Sequence, residues 1–210
     1  MRAADWYFDF VSPYSYFASL TLHDLSSKLD LRYRPVLLAG LLNHWGQKGP
    51  AEIPTKRQWT YRWCTWWAQQ NRIPFSFPQA HPFNPISYLR LALAADCSAP
   101  AIHTIFRALW TTGADAGSSK LAVKLAHQLN VDPGRLEQQA IKDALRQETN
   151  HAIESGVFGV PTLRLDGHLF WGADATHLVD AYIADRTLFD SAEMRRVSTL
   201  PVGASRKSSQ

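Results

Sequence analysis

Two serines, Ser12 and Ser15, flank Pro13 and Tyr14 at the point where an aromatic-rich apolar run gives way to a helical pattern. A hydroxyl at a strand-to-helix junction lies beside unpaired backbone N–H groups, where an anion is favoured. Serine is also a preferred helix N-cap, and Pro13 suits the first helical position. The residues alone therefore leave two interpretations of Ser12: a helix cap, or a hydroxyl that holds an anionic ligand.

A second segment of interest runs from Gly156 to Thr162 and contains the Val160–Pro161 bond. Proline has no N–H to donate to a sheet, so it is tolerated at the first residue of a strand or at a sheet edge. An X–Pro bond also adopts the cis form far more readily than other peptide bonds do. Taken singly, this proline is compatible with an ordinary loop-to-strand connection.

The elements that must position these segments follow an α/β pattern. Aromatic and alternating runs predict strands at 6–11 and 31–38 with a helix at 14–29 between them, which favours a parallel strand pair. Helical periodicity then predicts helices at 55–71, 85–96, 99–112, 118–128 and 133–155, with Ser118 and Asp132 as N-caps. A hairpin over 161–171, which turns at Asp166–Gly167, and a last helix at about 174–185 complete the order.

Composition excludes several classes of function. Hydrophobic residues make up 46% and charged residues 19%, as in ordinary globular proteins, and the net charge of +4 owes much to basic residues near the C-terminus. We therefore expect no nucleic-acid partner, and the absence of an 18-residue apolar run predicts a soluble, cytoplasmic protein with no membrane span. Cys64 and Cys97 match neither a redox pair nor a zinc spacing, which predicts buried thiols, and no histidines stand at metal-ligand spacing.

The combined order of elements resembles the thioredoxin-type fold (βαβ…ββα) with a large, DsbA-like helical insertion. In redox members of that superfamily, a C-x-x-C motif occupies the place of Ser12-Pro13-Tyr14-Ser15. A hydroxyl neither attacks a disulfide nor forms one, so the two serines argue against a dithiol oxidoreductase. The resemblance implies a thioredoxin-like domain over 1–38 and 153–190, an inserted helical domain over 39–152, and a flexible basic tail over 191–210.

Within that superfamily, residues 5 to 187 are most similar to the 2-hydroxychromene-2-carboxylate isomerases, which are relatives of kappa-class glutathione transferases. The similarity rests on "YFDFVSPYSYFA", "HPFNP", "GVFGVPT" and "FWGADA". It implies glutathione as the cofactor, with the Ser12 hydroxyl donating to its thiolate. It also implies that the Val160 backbone, immediately before Pro161, pairs with the peptide part of glutathione. The Asp174 carboxylate would meet the γ-glutamyl amine, and the adjacent Ala173 is a further cofactor-binding residue. Without the resemblance, Asp174 is equally well read as the N-cap of the last helix.

Other assignments also follow from the resemblance. Lys56 matches a lysine that contacts a glutathione carboxylate, and Gln47 stands where relatives commonly carry asparagine. Asn84 is a candidate for a polar group that faces the substrate, and aromatic residues of the insertion are candidates for the wall of an apolar substrate site: Trp59, Trp63, Trp66, Trp67 and Phe83. A tryptophan stripe at helical spacing is nevertheless ordinarily part of a core.

The implied activity is the glutathione-dependent interconversion of 2-hydroxychromene-2-carboxylate and trans-o-hydroxybenzylidenepyruvate in aromatic hydrocarbon catabolism, such as naphthalene degradation. The partner is then a small aromatic substrate, and a homodimer is expected because relatives are commonly dimers. Two alternatives stay open at this point. One is a kappa-like glutathione S-transferase that conjugates electrophiles, and the other is a non-enzymatic glutathione-binding module.

Overall fold

A computed structural model describes residues 1–204 of the chain, and these residues contain four β-strands and ten α-helices. The strands are Arg2–Phe8 (β1), Leu29–Pro35 (β2), Thr162–Leu165 (β3) and His168–Trp171 (β4). The helices are Pro13–Ser19 (α1), Leu22–Ser26 (α2), Leu38–His44 (α3), Pro54–Gln70 (α4), Ile86–Ala94 (α5), Ala99–Trp110 (α6), Ser119–Gln128 (α7), Gln139–Glu154 (α8), Thr176–Ala184 (α9) and Ala192–Ser198 (α10). Short 3₁₀ turns occupy Pro50–Glu52, Pro133–Glu137 and Leu188–Asp190.

The four strands form one mixed sheet in the order β2-β1-β3-β4. β1 and β2 are parallel, as the strand-helix-strand pattern predicts, because the connection through α1 and α2 crosses from one end of the sheet to the other. β3 runs antiparallel to β1 and pairs with β4 in the predicted hairpin. Both positions of the Asp166–Gly167 turn have positive φ, as a two-residue hairpin turn requires. The thioredoxin-like α/β fold is thus confirmed.

The predicted helix at 14–29 is wrong in its length, because the chain forms two shorter helices there. The hydroxyls of Ser19 and Thr21 donate to the carbonyl oxygens of Tyr16 and Ala18 at 2.6 and 3.0 Å. Such local side-chain bonds compete with continued helical bonding. The first strand also starts earlier than predicted and ends at Phe8, which leaves residues 9–12 as the connection to α1.

Two other boundaries differ from the prediction. The predicted strand at 31–38 covers 29–35, and the helix α3 that follows it lacks a clear sequence signal: it has seven residues, includes Gly40 and has no capping side chain. The predicted helix at 133–155 is a 3₁₀ turn followed by α8, because Gln138 adopts extended backbone angles between them. The N-cap roles of Ser118 and Asp132 are confirmed, since their side chains accept from the backbone N–H groups of Lys120 and Gly134.

An aromatic core joins β1 to α1 and α6. Trp6, Phe8, Phe10, Tyr16 and Phe106 are buried, and their ring centroids lie between 4.6 and 6.3 Å from one or more of the others. Aromatic pairs at these separations contribute beyond the area that they bury. This core therefore fixes the end of β1, from which the serine segment departs.

The chain divides into two compact units, one formed by Met1–Asp174 and one that begins at Ala175. The first unit contains the whole sheet and the helices α1 to α8, while α9 and α10 belong to the second. The division predicted from the sequence, into a thioredoxin-like and an inserted domain, stays a prediction. The part of the expected tail that the structure describes includes α10, and residues 205–210, with Ser205-Arg206-Lys207, lie outside the described residues.

Gly172 provides a test of this backbone. Its φ is +108°, and a Cβ built there would collide with a carboxylate oxygen of Asp174. We expect Gly172→Ala to lower the free energy of unfolding by about 2–3 kcal/mol in urea denaturation. Gly46→Ala is the matched control, because φ is +60° there but no atom lies within 4 Å of the added carbon. It should cost only about 1 kcal/mol, and equal losses for the two variants would contradict this interpretation.

Candidate active site

Ser12 lies between β1 and α1 and is 6% exposed. It is the N-cap of α1, since its hydroxyl oxygen accepts a hydrogen bond from the Ser15 backbone N–H at 3.2 Å. Pro13 occupies the first turn, as predicted. A serine hydroxyl has one proton to donate in addition to its acceptor lone pairs, and no described residue is recorded as accepting that proton. Capping and the donation of a hydrogen bond to a ligand are therefore compatible roles.

Ser15 is fully buried, and its hydroxyl has no hydrogen-bond partner among the described residues. A buried hydroxyl without a partner loses its hydration and gains nothing in return, so it is uncommon in native proteins. The position lies one helical turn beyond Ser12, on the same side of α1. The two serines therefore leave two hydroxyl protons uncommitted at this end of the helix.

The connection between β1 and Ser12 is held by groups from distant parts of the chain. The Trp110 indole N–H donates to the Phe10 carbonyl oxygen at 2.9 Å, and His81 Nε2 lies 2.8 Å from the Val11 carbonyl oxygen. The Asp9 carboxylate accepts from the Val11 backbone N–H at 3.0 Å, and the Asp9 carbonyl oxygen accepts from the Ser12 backbone N–H at 3.1 Å. These bonds fix the position of Ser12 from both sides.

His81 takes a defined tautomer in this arrangement. A carbonyl oxygen only accepts, so Nε2 carries the proton that reaches Val11, and Nδ1 is left as an acceptor. The Tyr61 hydroxyl lies 2.6 Å from Nδ1 and 2.7 Å from the His81 carbonyl oxygen, so its one proton is shared between these two acceptors. Burial lowers the pKa of His81, because the charged ring would be separated from water. A neutral imidazole therefore bridges α4 to the residue before Ser12.

Asp9 is a fully buried carboxyl group. Its oxygens accept from the backbone N–H groups of Val11 and Leu38, and no cation among the described residues pairs with it. Burial raises the pKa of Asp9 to about 7, and the backbone hydrogen bonds only partly offset the effect. At neutral pH, the carboxyl is accordingly close to its own midpoint.

The sheet brings the Val160–Pro161 segment to the serine site. β3 pairs with β1 through Tyr7 and Thr162, so continuing the antiparallel register sets Val160 beside the residues that follow β1. The Val160–Pro161 bond is cis, and the Pro161 carbonyl oxygen accepts from the Gly172 backbone N–H at 3.0 Å. Among the described residues, neither backbone polar group of Val160 has a recorded hydrogen-bond partner. This backbone is thus available for pairing with an extended ligand.

Asp174 lies close enough to Tyr14 to influence it. Burial raises the pKa of Tyr14 to about 12, with Cys64 and the Asp174 charge as further causes in the same direction. Tyr14 is two residues from Ser12, so the Asp174 charge acts on the serine segment through space. Asp174 is exposed and is not the cap of the last helix, because α9 begins after Ala175 and has no side-chain cap.

Three other predicted site residues are exposed. Lys56 lies in the first turn of α4, and Gln47 follows α3, where its backbone N–H donates to the Leu42 carbonyl oxygen at 2.9 Å. The Asn84 side chain accepts from the Ile86 backbone N–H at 3.0 Å, which supports the start of α5. The structure therefore gives Asn84 a local structural role, and it records no contact that brings these three side chains to Ser12.

The tryptophans of α4 form an exposed aromatic face. Trp59, Trp66 and Trp67 are 60%, 53% and 37% exposed, so the usual interpretation of such a stripe as core is wrong here. The rings of Trp63 and Trp67 stack at 5.3 Å with an angle of 7°, and Trp63 also contacts Tyr14 at 5.5 Å. The face therefore extends from the serine segment along α4. Phe83, the remaining aromatic candidate, is 8% exposed and belongs to the interior.

The cysteines lie outside this chemistry. Cys64 is buried, as predicted, while Cys97 is only partly buried, and burial raises the pKa of each thiol to about 12. The described part of the chain contains no cluster of three or more side chains suited to hold a metal ion. Nor does any described helix have the length and apolar character needed to cross a bilayer.

Sequence reasoning missed Asp9, His81 and Trp110 as parts of the site. The sequence does contain a sign that Asp9 is unusual, because it is an acidic residue inside an aromatic run without a nearby cation. His81 stands in the "HPFNP" stretch that supported the resemblance, yet no metal-ligand spacing singled it out. Trp110 looks like any core residue of an amphipathic helix. The contacts of His81 and Trp110 with the serine segment span 70 and 100 residues, and that of Asp9 with Leu38 spans 29, which local patterns do not reveal.

Comparison with known proteins identifies the class of this fold and site. A model of the DSBA-like thioredoxin domain matches residues 4–184, so the chain belongs to this family. It is 30% identical over 186 residues to a 2-hydroxychromene-2-carboxylate isomerase of Pseudomonas putida, a match that covers 84% of this chain and 92% of the relative. Within the larger family, the chain therefore belongs with the 2-hydroxychromene-2-carboxylate isomerases, as the sequence motifs predict.

Two other relatives agree with this assignment. The solved structure of a 2-hydroxychromene-2-carboxylate isomerase is similar with a TM-score of 0.75 at 26% identity, covering 91% of this chain and 98% of that one. Glutathione S-transferase kappa 2 of Caenorhabditis elegans is 26% identical over 208 residues, covering 88% of this chain and 92% of the relative. The relation to kappa-class transferases is thus confirmed.

The buried Asp9 carboxyl predicts a specific dependence of stability on pH. Since its pKa is raised from 3.8 to about 7 in the folded chain, the folded state favours the protonated form. Its contribution is present below about pH 4 and is lost as pH rises through about 7. We therefore compare the free energies of unfolding of Asp9→Asn and wild type at each pH. The value for Asp9→Asn minus that for wild type should rise by up to about 4 kcal/mol between pH 4 and pH 8.

Urea denaturation across this pH range measures the effect. Asp24→Asn serves as the control, because Asp24 is an exposed carboxylate on α2. A difference between Asp9→Asn and wild type that stays constant with pH would contradict the assignment of a raised pKa.

Proposed function

We propose that this chain is a glutathione-dependent isomerase that interconverts 2-hydroxychromene-2-carboxylate and trans-o-hydroxybenzylidenepyruvate. The observation that carries the proposal is the Ser12 hydroxyl. It is held at the start of α1 with its oxygen bonded to the Ser15 N–H and its proton uncommitted, in a chain 30% identical to an isomerase of that name. The isomerase assignment draws on the relatives. Glutathione and the role of Ser12 are implied by the resemblance to that family, and the uncommitted Ser12 proton supports them.

The site has the groups that a glutathione thiolate requires. An anion beside Ser12 would receive the hydroxyl proton as a charge-assisted hydrogen bond, which is stronger than a neutral one. The unpartnered hydroxyl of buried Ser15 offers a second donor one turn further. Each unit by which such donors lower the thiol pKa corresponds to about 1.4 kcal/mol of preferential stabilisation of the anion. Because α1 has only seven residues, we assign this stabilisation mainly to the hydroxyls.

The peptide part of glutathione fits the backbone at Val160. Its unpaired N–H and carbonyl groups suit an extended peptide, which would add to the sheet next to the cis Pro161. The charged ends of glutathione then require one anionic and at least one cationic partner. Asp174, beside Ala173, suits the γ-glutamyl amine, and Lys56 suits a carboxylate, with Gln47 as an additional amide donor. All three of these side chains are exposed and so can reach a ligand.

The tryptophan face of α4 suits the aromatic substrate. Exposed indoles offer large apolar area with little loss of side-chain entropy, and Trp63 connects them to Tyr14. α4 also carries three basic residues and no acidic ones, which suits a carboxylate substrate. We place the ring system of the substrate against this face, with its reacting carbon directed to Ser12. Asn84 is retained as a candidate contact to a polar substrate group.

When bound, glutathione supplies a thiolate that adds reversibly to the conjugated carbon of the ring-opened substrate, permits rotation about the former double bond, and leaves unchanged. The chain itself contributes position and charge. The Ser12 hydroxyl donates to the sulfur, the turn at 9–12 keeps that hydroxyl in place, and the indoles of α4 exclude water from one side of the substrate. None of these steps requires a redox change in the protein.

Wider assignments follow from this proposal. The reaction belongs to aromatic hydrocarbon catabolism, of which naphthalene degradation is one route. We propose a cytoplasmic homodimer, on the basis of the resemblance stated above.

The first prediction concerns Ser12→Ala. Loss of one hydrogen bond to a thiolate costs about 1.5–3 kcal/mol, so kcat/KM for the chromene should fall about 10- to 100-fold. The pKa of bound glutathione, followed by thiolate absorbance, should rise at the same time. Ser118→Ala is the matched control, since it removes the N-cap of α7 far along the chain. If Ser12→Ala keeps the turnover and the thiol pKa of the wild-type protein, the proposed role of the hydroxyl is refuted.

The second prediction concerns the aromatic face. Trp63→Leu should raise KM for the chromene about tenfold, because stacking and apolar contact worth about 1–1.5 kcal/mol are lost. The dissociation constant of glutathione, measured by calorimetry, should stay within twofold of wild type. Val123→Ala, which truncates another exposed apolar side chain, should change neither value. A change in glutathione affinity without a change in KM would place the aromatic substrate elsewhere.

The similarity to a kappa-class glutathione transferase makes a transferase the second candidate function. One assay separates it from the isomerase. The chromene and a chlorinated aromatic acceptor are each incubated with and without glutathione. Isomerisation of the chromene that needs glutathione but does not consume it supports our proposal. Conjugation of the chlorinated acceptor alone supports a transferase. Chromene turnover without any need for glutathione would defeat the proposed mechanism.

A further inference from the structure

The first residue of the short helix α3, Leu38, is hydrogen-bonded to the connection at residues 9–12 that carries Ser12. The Leu38 backbone N–H donates to Asp9 Oδ2 at 2.8 Å, while Asp9 Oδ1 accepts from the Val11 backbone N–H at 3.0 Å. The neighbouring Leu37 backbone N–H donates to the Thr149 hydroxyl oxygen at 3.1 Å. One buried carboxylate therefore joins the turn that carries Ser12 to the start of α3.

The other end of α3 is attached to the segment that precedes β3. The indole N–H of Trp45, the residue that caps α3, donates to the Val157 carbonyl oxygen at 2.9 Å. Between the two ends, Leu41 is fully buried in a cluster that includes Val157 and Val160. Two separate kinds of contact thus fix the 157–160 segment against α3.

α3 needs these contacts in order to form. A helix of seven residues is not stable alone in water, and this one contains Gly40 and has no side-chain cap. Its position is therefore set by Asp9 at one end, Trp45 at the other and Leu41 between them. A change at either end should be transmitted along the helix to the attached segment.

We propose that Asp9 and Trp45 are positioning residues for glutathione. They hold α3 so that the Ser12 hydroxyl and the Val160 backbone keep the separation at which one tripeptide contacts both. This inference rests on the proposed function, because it assumes that these two groups share a ligand. A site whose parts are held in place before binding loses less conformational entropy when the ligand binds, which increases affinity.

Two substitutions interrupt the two ends: one is close to isosteric, and the other is smaller but keeps an aromatic ring. In Asp9→Asn, the side chain retains one carbonyl oxygen for the N–H groups of Val11 and Leu38, and its amide N–H₂ faces the other. In Trp45→Phe, an aromatic ring remains beside His44, but no N–H reaches Val157. Each variant removes about one hydrogen bond.

The experiment combines calorimetric titration of glutathione with amide hydrogen exchange of the full-length chain. Each variant should weaken glutathione binding about fivefold, the equivalent of one ordinary hydrogen bond. Exchange should accelerate about tenfold at the amides of Val11 and Leu38 in Asp9→Asn, and at the hydrogen-bonded amides of Gly156 and Val157 in Trp45→Phe. With the chromene, Trp45→Phe should raise KM for glutathione about fivefold and leave kcat at saturation within twofold of wild type.

Tyr88→Phe is the matched control, because it removes a buried side-chain hydrogen bond of 2.8 Å to the Ala116 carbonyl oxygen, outside α3. It should alter thermal stability without altering glutathione affinity or the exchange of the two segments. Positioning by α3 is overturned if Asp9→Asn and Trp45→Phe behave like Tyr88→Phe in both measurements. Failure of the wild-type chain to bind glutathione would instead overturn the proposed function, and the exchange rates would still decide whether α3 holds the two segments.

Discussion

The position of the serine site depends on the hydrogen bonds that fix residues 9–12 at the end of β1. A short connection cannot hold one hydroxyl in place by itself. Without partners in the protein, its backbone groups would bond to water and the connection would not keep one conformation. Here, the Asp9 carboxylate bonds to the Val11 N–H, and the side chains of His81 and Trp110 bond to the carbonyl oxygens of Val11 and Phe10. Two of these side chains lie in the long segment between β2 and β3. That segment therefore helps to position the site.

Much of the fold could be predicted from local patterns. The parallel β1–β2 pair, the hairpin and the helices α4 to α7 follow from hydrophobic period, turn residues and caps, which act over a few neighbouring residues. α3 and the break between α1 and α2 could not be predicted in this way. The helix α3 depends on Asp9 and Trp45, and the break depends on the Ser19 and Thr21 hydroxyls, which bond to carbonyl groups of α1. Their stability comes from contacts that periodicity does not record.

The tryptophan stripe on α4 shows a different limit of sequence reasoning. Periodicity predicts that Trp59, Trp63 and Trp67 share one face of a helix, and they do. It does not predict whether another element covers that face, and apolar stripes are buried in most globular proteins. Here the rings stack on one another, Trp63 contacts Tyr14 at a tilt of 39°, and the face remains partly open to solvent. Whether such a stripe is core or binding surface is decided by the position of the remaining chain, which only the structure supplies.

The two cysteine thiols of the chain are weak acids, so a thiolate at this site would have to come from a ligand. Cys64 lies beside Tyr14, close to the serine site, but burial raises the pKa of its thiol to about 12, so it stays protonated at neutral pH. Cys97 is equally weak as an acid. Ser12 and Ser15 carry hydroxyls, which do not ionise in this range and are instead able to donate hydrogen bonds. Among the described residues, the site therefore offers donors for a sulfur anion without a thiolate of its own, a combination that suits the binding of glutathione better than disulfide chemistry.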